Sequence, residues 1–165
     1  METLITALCD NDLEKVKKLL ENNEQQDLTT LLNEAVSYDC LDILKWLFDE
    51  GAEINKETFK QAMIGGRYHI IEWLLDNGAE ATSDALITAS ASGNLNLVKL
   101  LILKGADVTA EENAAAYMAS FSRHFETVQY LYEQGADING IAYKDEMMLF
   151  LFVHGEVRYN ILPYK

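Results

Sequence analysis

The chain has 165 residues, 49% hydrophobic and 24% charged, which is long enough to bury a core and too apolar for a disordered segment. Its 27 acidic side chains against 13 basic ones give a net charge of −14. That charge repels phosphate backbones and anionic lipid surfaces, so no direct nucleic-acid binding and no membrane association are expected, and a basic partner is favoured.

The N-terminal stretch METLITALCDNDLEKVKKLL has neither the basic start nor the unbroken apolar core of a signal peptide. No apolar run reaches the roughly 20 residues that span a bilayer, so a cytoplasmic protein is expected. Cys9 and Cys40 have no metal-ligand spacing. They read as small apolar residues in a reducing compartment, with a disulfide as the less supported alternative. Acidity is uneven: residues 1–56 carry 13 acids against 5 bases. With one proline, Pro163, and nine glycines, the chain has no stretch resembling an interdomain linker, so one continuous unit is expected.

Along the chain one pattern recurs. Alanines stand at Ala7, Ala35, Ala62, Ala89 and Ala119, and leucines at Leu47, Leu74, Leu101 and Leu131, each four residues before Gly51, Gly78, Gly105 and Gly135. The glycines lie 27, 27 and 30 residues apart, and each is followed by alanine and, in all but the second turn's Ala-Glu-Ala variant of the same theme, by an acid and an aliphatic residue. The first copy ends in ENNEQQ, where the glycine turn has degenerated. In the fourth copy, Leu86, Ala89 and Ser90 fall on one helical face, Gly93 interrupts, and Leu95, Val98, Leu101 and Ile102 resume the period. Two short antiparallel helices are predicted, with Asp84 as N-cap and Gly105 as the left-handed residue that ends the second. Neither helix buries its apolar stripe alone, so copies must stack.

The string SGNLNLVKLLILKGADV (Ser92 to Val108) resembles the second half of an ankyrin repeat, and YDCLDILKWLFDEGAEI, GRYHIIEWLLDNGAEA and RHFETVQYLYEQGADI match at the same places. The resemblance implies an all-α fold: an ankyrin-repeat α-solenoid of five short helix-turn-helix repeats, near residues 2–27, 28–55, 56–82, 83–109 and 110–140, with a degenerate C-terminal capping repeat at 141–165. Repeats of that family run about 33 residues and open with Thr-Pro-Leu-His. These are shorter and lack that proline, so blunt loops are expected in place of projecting fingers, as in the shortened repeats of large viruses and bacteria. The apolar run Met147–Val153 is expected to pack as core of the cap, with a hydrophobic docking tail or dimer seam as the less supported alternative.

Catalytic and metal patterns are weak. His69, His124 and His154 occupy non-equivalent places, IGGRYH (Ile64 to His69) lacks a phosphate-loop ending, and no nucleophile sits in a local signature. Glu111/Glu112 and Asp145/Glu146 are each expected to begin a helix and complement its dipole. Trp46 and Trp73 occupy equivalent positions and read as a packing stripe on the second helices. No cofactor, no metal and no enzymatic activity are expected.

The resemblance implies that the first helices and the inter-helix turns line a concave binding face. Carried onto this chain, one row is Thr6, Glu34, Gln61, Thr88 and Met118, and another is Ile5, Asn33, Lys60, Ile87 and Tyr117. The turns add Asp10, Tyr38, Gly65, Ser92 and Ser122, preceded by Cys9, Ser37, Ile64, Ala91 and Phe121. The candidate partner-binding residues are Asp10, Glu34, Tyr38, Lys60, Gln61, Tyr117, Met118 and Phe121. Tyr38, Tyr117 and Phe121 are the expected anchors, with Glu34 and Asp10 as steering charges. The function expected is a protein-protein interaction module, monomeric and non-catalytic. The alternative is an acidic inhibitor or immunity-type protein that neutralises a basic toxin, nuclease or defence enzyme.

Overall fold

The computed structural model describes residues 3–21 and 27–139. The expected cap at 141–165, with Met147–Val153, His154 and Asp145/Glu146, lies outside the described residues, as does most of ENNEQQ. The chain divides into two compact units, Met1–Glu80 and Ala81–Lys165. Among the described residues every regular element is a helix.

The first unit holds three helix pairs: α1 (Leu4–Cys9) with α2 (Leu13–Glu21), α3 (Leu28–Ser37) with α4 (Leu41–Asp49), and α5 (Lys56–Gly65) with α6 (Tyr68–Asp76). The second holds α7 (Ser83–Ala91) with α8 (Leu95–Leu103), and α9 (Ala110–Phe121) with α10 (Phe125–Glu133). Within each unit first helices pack on first helices, as α3 on α5 and α7 on α9, and second helices on second helices, as α2 on α4 and α8 on α10.

Alanine in the last turn of every first helix makes this spacing. Ala7, Ala35, Ala62, Ala89 and Ala119 are all at most 2% exposed. A larger side chain there would push neighbouring helices apart. The second helices supply the volume: Ile43, Leu44, Leu47, Ile70, Ile71 and Leu74 in the first unit, and Val98, Leu101, Val128 and Leu131 in the second, are fully enclosed.

Every first helix ends in one hydrogen-bonded turn. The amides of Asp12, Cys40, Arg67, Asn94 and His124 donate to the carbonyls of Ala7, Ala35, Ala62, Ala89 and Ala119 at 2.9–3.1 Å. The preceding residues, Asn11, Asp39, Gly66, Gly93 and Arg123, all have positive φ. This six-to-one bond with a left-handed residue inside it satisfies the helix's last carbonyls and turns the chain back. The second helices repeat the device: Ala52, Ala79, Ala106 and Ala136 donate to Leu47, Leu74, Leu101 and Leu131 at 2.9–3.0 Å. Here the left-handed place belongs to Gly51, Gly78, Gly105 and Gly135, as expected, with φ between 96° and 105°. Of the alanines that follow these glycines, Ala52, Ala106 and Ala136 are buried and Ala79 is half-buried. The recurring Gly-Ala is therefore a cap and a core contact together.

Two helix starts differ from the sequence expectation. The N-cap of α7 is Thr82, whose side chain accepts from the Ala85 amide at 3.3 Å, while Asp84 lies in the first turn. Both residues are cap formers, and the register is decided by Ala85 and Leu86 needing the buried face. Glu111 and Glu112 do not open a right-handed helix. Glu111, Glu112 and Asn113 have φ of 52°, 56° and 65°, a single left-handed turn. Three extra residues separate Gly105 from Ala119 relative to Gly78 and Ala89, and this turn takes them up. Asn113 keeps the role of its equivalent, Thr29: its Oδ1 accepts from the Asp137 amide at 2.8 Å, as Thr29 Oγ1 accepts from the Glu53 amide at 3.1 Å. Each loop is tied back to its own first helix, and the loops are short, with no hairpin among the described residues.

The tryptophans line the second helices, half-buried as a packing stripe. The Phe48 and Trp73 rings meet edge to face at 5.3 Å. Lys17 Nζ lies 5.9 Å from the Trp46 ring centroid, and Lys99 Nζ 5.3 Å from that of Tyr130. The two lysines occupy one equivalent place and the two rings another, and each contact is of the kind that contributes about 0.5–1 kcal/mol at exposed sites.

Gly93 is required twice over. Its φ is +71°, and a Cβ there would stand 2.5 Å from Nδ1 of His124. Gly93→Ala should destabilise the chain by about 2–4 kcal/mol in urea melts, and in a His124→Ala background the same change should cost only the backbone part, about 1–2 kcal/mol. Equal costs in both backgrounds would show that the imidazole is not the obstacle.

Candidate functional site

The expected partner-binding residues fall on first helices and the turns after them, five in the first unit and three in the second. Tyr38 is the C-cap of α3 and 42% exposed. Its phenol is held above its usual range first by the neighbouring Cys9 thiol, then by partial burial, a hydrogen bond with Cys9 and the charge of Glu34. Tyr38, Cys9 and Glu34 are thus brought together.

The steering charges are partly engaged. Asp10 ends α1 and lies 3.5 Å from Lys15 Nζ, which also meets Asp12 at 3.1 Å. Lys15 is pushed up and Asp12 down, each chiefly by the other's hydrogen bonds. Lys60 and Gln61 both reach Glu57, at 3.9 and 2.6 Å. Asn33, in the Lys60 row, accepts from Thr58 Oγ1 at 2.6 Å and serves packing between α3 and α5.

In the second unit Tyr117 and Phe121 stand one turn apart on α9, 50% and 61% exposed, with Met118 half-buried beside them. Their Cα neighbours on the other face, Ala115, Ala116, Ala119 and Ser120, are buried. The helix therefore splits into a small-residue face that packs and an aromatic face open to solvent. The same contrast holds on α5, where Ile64 is 71% exposed and Ala62 fully buried.

One group of charged residues was not singled out by the sequence reading. Asp39 Oδ1 lies 3.6 Å from Arg67 Nε and 3.3 Å from His69 Nε2, and Arg67 Nη2 approaches the Ser37 carbonyl at 3.4 Å. These contacts join the turn of the second helix pair to that of the third. No residue pattern marked it: Asp39 stands at the left-handed place of its turn, where a short acid is tolerated.

A shallow pocket in the second unit is lined by Gly93, Leu95, Arg123, His124, Phe125, Glu126 and Thr127. It sits where His124 covers Gly93 and has the character of a packing groove. Among the described residues no three His, Cys, Asp or Glu side chains are grouped to hold a metal ion, and no helix is long and apolar enough to cross a membrane.

Tandem helix pairs, alanine-spaced first helices and a Gly-Ala cap on each second helix define an all-α helical-repeat protein. The family described as Ankyrin repeats (3 copies) matches residues 59–141, half of the chain, and the protein belongs to that family. Ankyrin repeats are generally protein-protein interaction modules. No curated protein matches the chain.

If the aromatic face of α9 is surplus to folding, Tyr117→Ala with Phe121→Ala should change unfolding free energy by less than about 1 kcal/mol. Ala119→Leu, on the packed face one residue from Met118, should cost about 1–3 kcal/mol by overpacking. Chemical denaturation distinguishes the two faces, and a large loss in the aromatic variant would assign those rings to the core.

Proposed function

We propose that this chain binds a protein partner, without catalysis, through the first helices and inter-helix turns, with Tyr38, Tyr117 and Phe121 as anchors. The observation that carries this is the two-sided first helix: alanines at most 2% exposed on one face, large apolar side chains 42–71% exposed on the other. Folding places Ala35, Ala62 and Ala119 inside but has no use for Tyr117, Phe121 or Ile64 in water. Rigid aromatic groups of this kind contribute most at interfaces because they bury much area and lose little rotamer freedom. Asp10, Glu34, Lys60 and Gln61 in the first unit and Met118 in the second are read as the polar and adaptable contacts that accompany those anchors.

The charge favours a narrower second reading, an acidic inhibitor or immunity-type protein that covers a basic toxin, nuclease or defence enzyme. The net −14, with 13 acids against 5 bases in residues 1–56, supports a basic partner drawn in by long-range attraction. The binding is read as monomeric and cytoplasmic.

Affinity capture from native cytosol at about 50 and about 500 mM salt separates the two, because screening shortens the reach of charge to a few ångströms at the higher value. Tyr38→Ala and Tyr117→Ala/Phe121→Ala are tested as separate baits. The interaction reading expects one stoichiometric partner lost with either variant, by roughly tenfold or more in Kd for an anchor worth about 1.4 kcal/mol. A basic partner released at high salt supports the inhibitor, and a partner indifferent to salt and to both variants contradicts the proposed face.

A further inference from the structure

The two cysteines are left unused by the reading above, and the fold brings them to adjoining turns. Cys9 is the last residue of α1 and exposed. Cys40 is the residue before α4, 1% exposed. Its Sγ donates to the carbonyl oxygen of Leu8 at 3.2 Å and also approaches that of Tyr38 at 3.4 Å. The Leu8 carbonyl belongs to the peptide that joins Leu8 to Cys9. Covalent geometry therefore puts Cys40 Sγ within about 6 Å of the Cys9 Cα. The Cys9 thiol in turn lies beside Tyr38, two residues before Cys40, near enough to hold its phenol above the usual range. Both thiols thus face the same junction between the first and second helix pairs, one from the solvent side and one from the interior.

We propose that Cys9 and Cys40 form an oxidation site at which a peroxide converts the two thiols into a disulfide that clamps α1 to the turn before α4. Cys9 reacts first because it is the thiol that peroxide reaches, while Cys40 is shielded and held in the thiol form. The Cys9 thiolate attacks one peroxide oxygen, the O–O bond breaks, and hydroxide leaves, taking up a proton as water. Cys9 is now a sulfenic acid. Cys40 then loses its proton, its sulfur attacks the Cys9 sulfur, the S–O bond breaks and a second water departs. Two thiols and one peroxide become one disulfide and two waters, with two electrons passing from sulfur to oxygen. Closing the bridge requires Cys9 to turn from Tyr38 toward Cys40 and bring the pair within the Cα separation of about 4.4–6.8 Å that disulfides allow. The thiol-to-carbonyl bond on Leu8 is exchanged for a covalent link across the same junction.

The clamp falls on the first helix pair, whose α1 has only six residues. It restricts the unfolded chain between the two turns, so oxidation should raise stability. The inference rests on this junction alone and not on the partner-binding reading.

The full chain is treated with stoichiometric hydrogen peroxide under native conditions, the remaining thiols are alkylated, and tryptic peptides are identified by mass spectrometry without reduction. The expected result is a monomer in which the peptides carrying Cys9 and Cys40 are joined and two hydrogens lighter than their sum, with a thermal midpoint several degrees higher that reverts on reduction. Cys9→Ser, an exposed change that keeps the fold, should show neither the joined peptide nor the shift. Two thiols still open to alkylation, a sulfinic acid at Cys9 with Cys40 intact, or a dimer joined through Cys9 would each overturn the proposal.

Discussion

Close contact between neighbouring first helices is what the rest of the molecule depends on. A helix of about ten residues is not stable by itself in water, and a single antiparallel pair still leaves one apolar side open. Ala35 and Ala62 let α3 and α5 come close enough to cover that side, as Ala89 and Ala119 do for α7 and α9, and all four have at most 1% of their surface exposed. The small residue contributes little area of its own. Leu32, Val36 and Leu86 on the same helices are covered with it, each with at most 1% of its surface exposed. The same alanine supplies the carbonyl that closes the turn after the helix. One position therefore fixes both the spacing and the chain reversal.

Repetition at the core frees the other face. Because each first helix needs only its alanine side for stacking, the residues two positions before and after can vary: Lys60 and Ile64 flank Ala62, and Tyr117 and Phe121 flank Ala119. The second helices behave differently. They carry most of the buried volume and cover their half-buried aromatic rings with lysine or with another ring, as Lys17 does Trp46 and Phe48 does Trp73. A protein built this way can vary the first-helix side without disturbing its core, which is the physical basis for proposing that binding occurs there.

The helix pairs and their caps were legible in the sequence because stacking leaves a fixed residue type at a fixed interval: alanine at the first helix, leucine before Gly-Ala at the end of the second. The inter-helix turns were placed too, but the left-handed residue within each was not. Their left-handed place is glycine in only two pairs, Gly66 and Gly93, and is filled by Asn11, Asp39 and Arg123 in the others. Asparagine and aspartate tolerate that conformation through local hydrogen bonding, and arginine gives no hint of it. The left-handed turn at Glu111–Asn113 was hidden for a related reason. Two acids before an alanine run look like a helix start, and only the longer interval between Gly105 and Gly135 marked the extra residues. Among the candidate site residues, exposure of Tyr38, Tyr117 and Phe121 followed from their place beside the packed alanine. The engagement of Lys60 and Gln61 with Glu57 depends on rotamers that spacing does not encode.

Hydrogen-deuterium exchange of the free and partner-bound chain tests most directly the proposal that a partner lies on the first-helix side. Amides at the ends of α1, α3, α5 and α9 and in the turns that follow them should exchange more slowly in the complex, with α4, α6, α8 and α10 unchanged. Slowing confined to the second helices, with the turns at Tyr38 and Phe121 unaffected, would contradict the assignment and place the partner on the opposite side of the repeats.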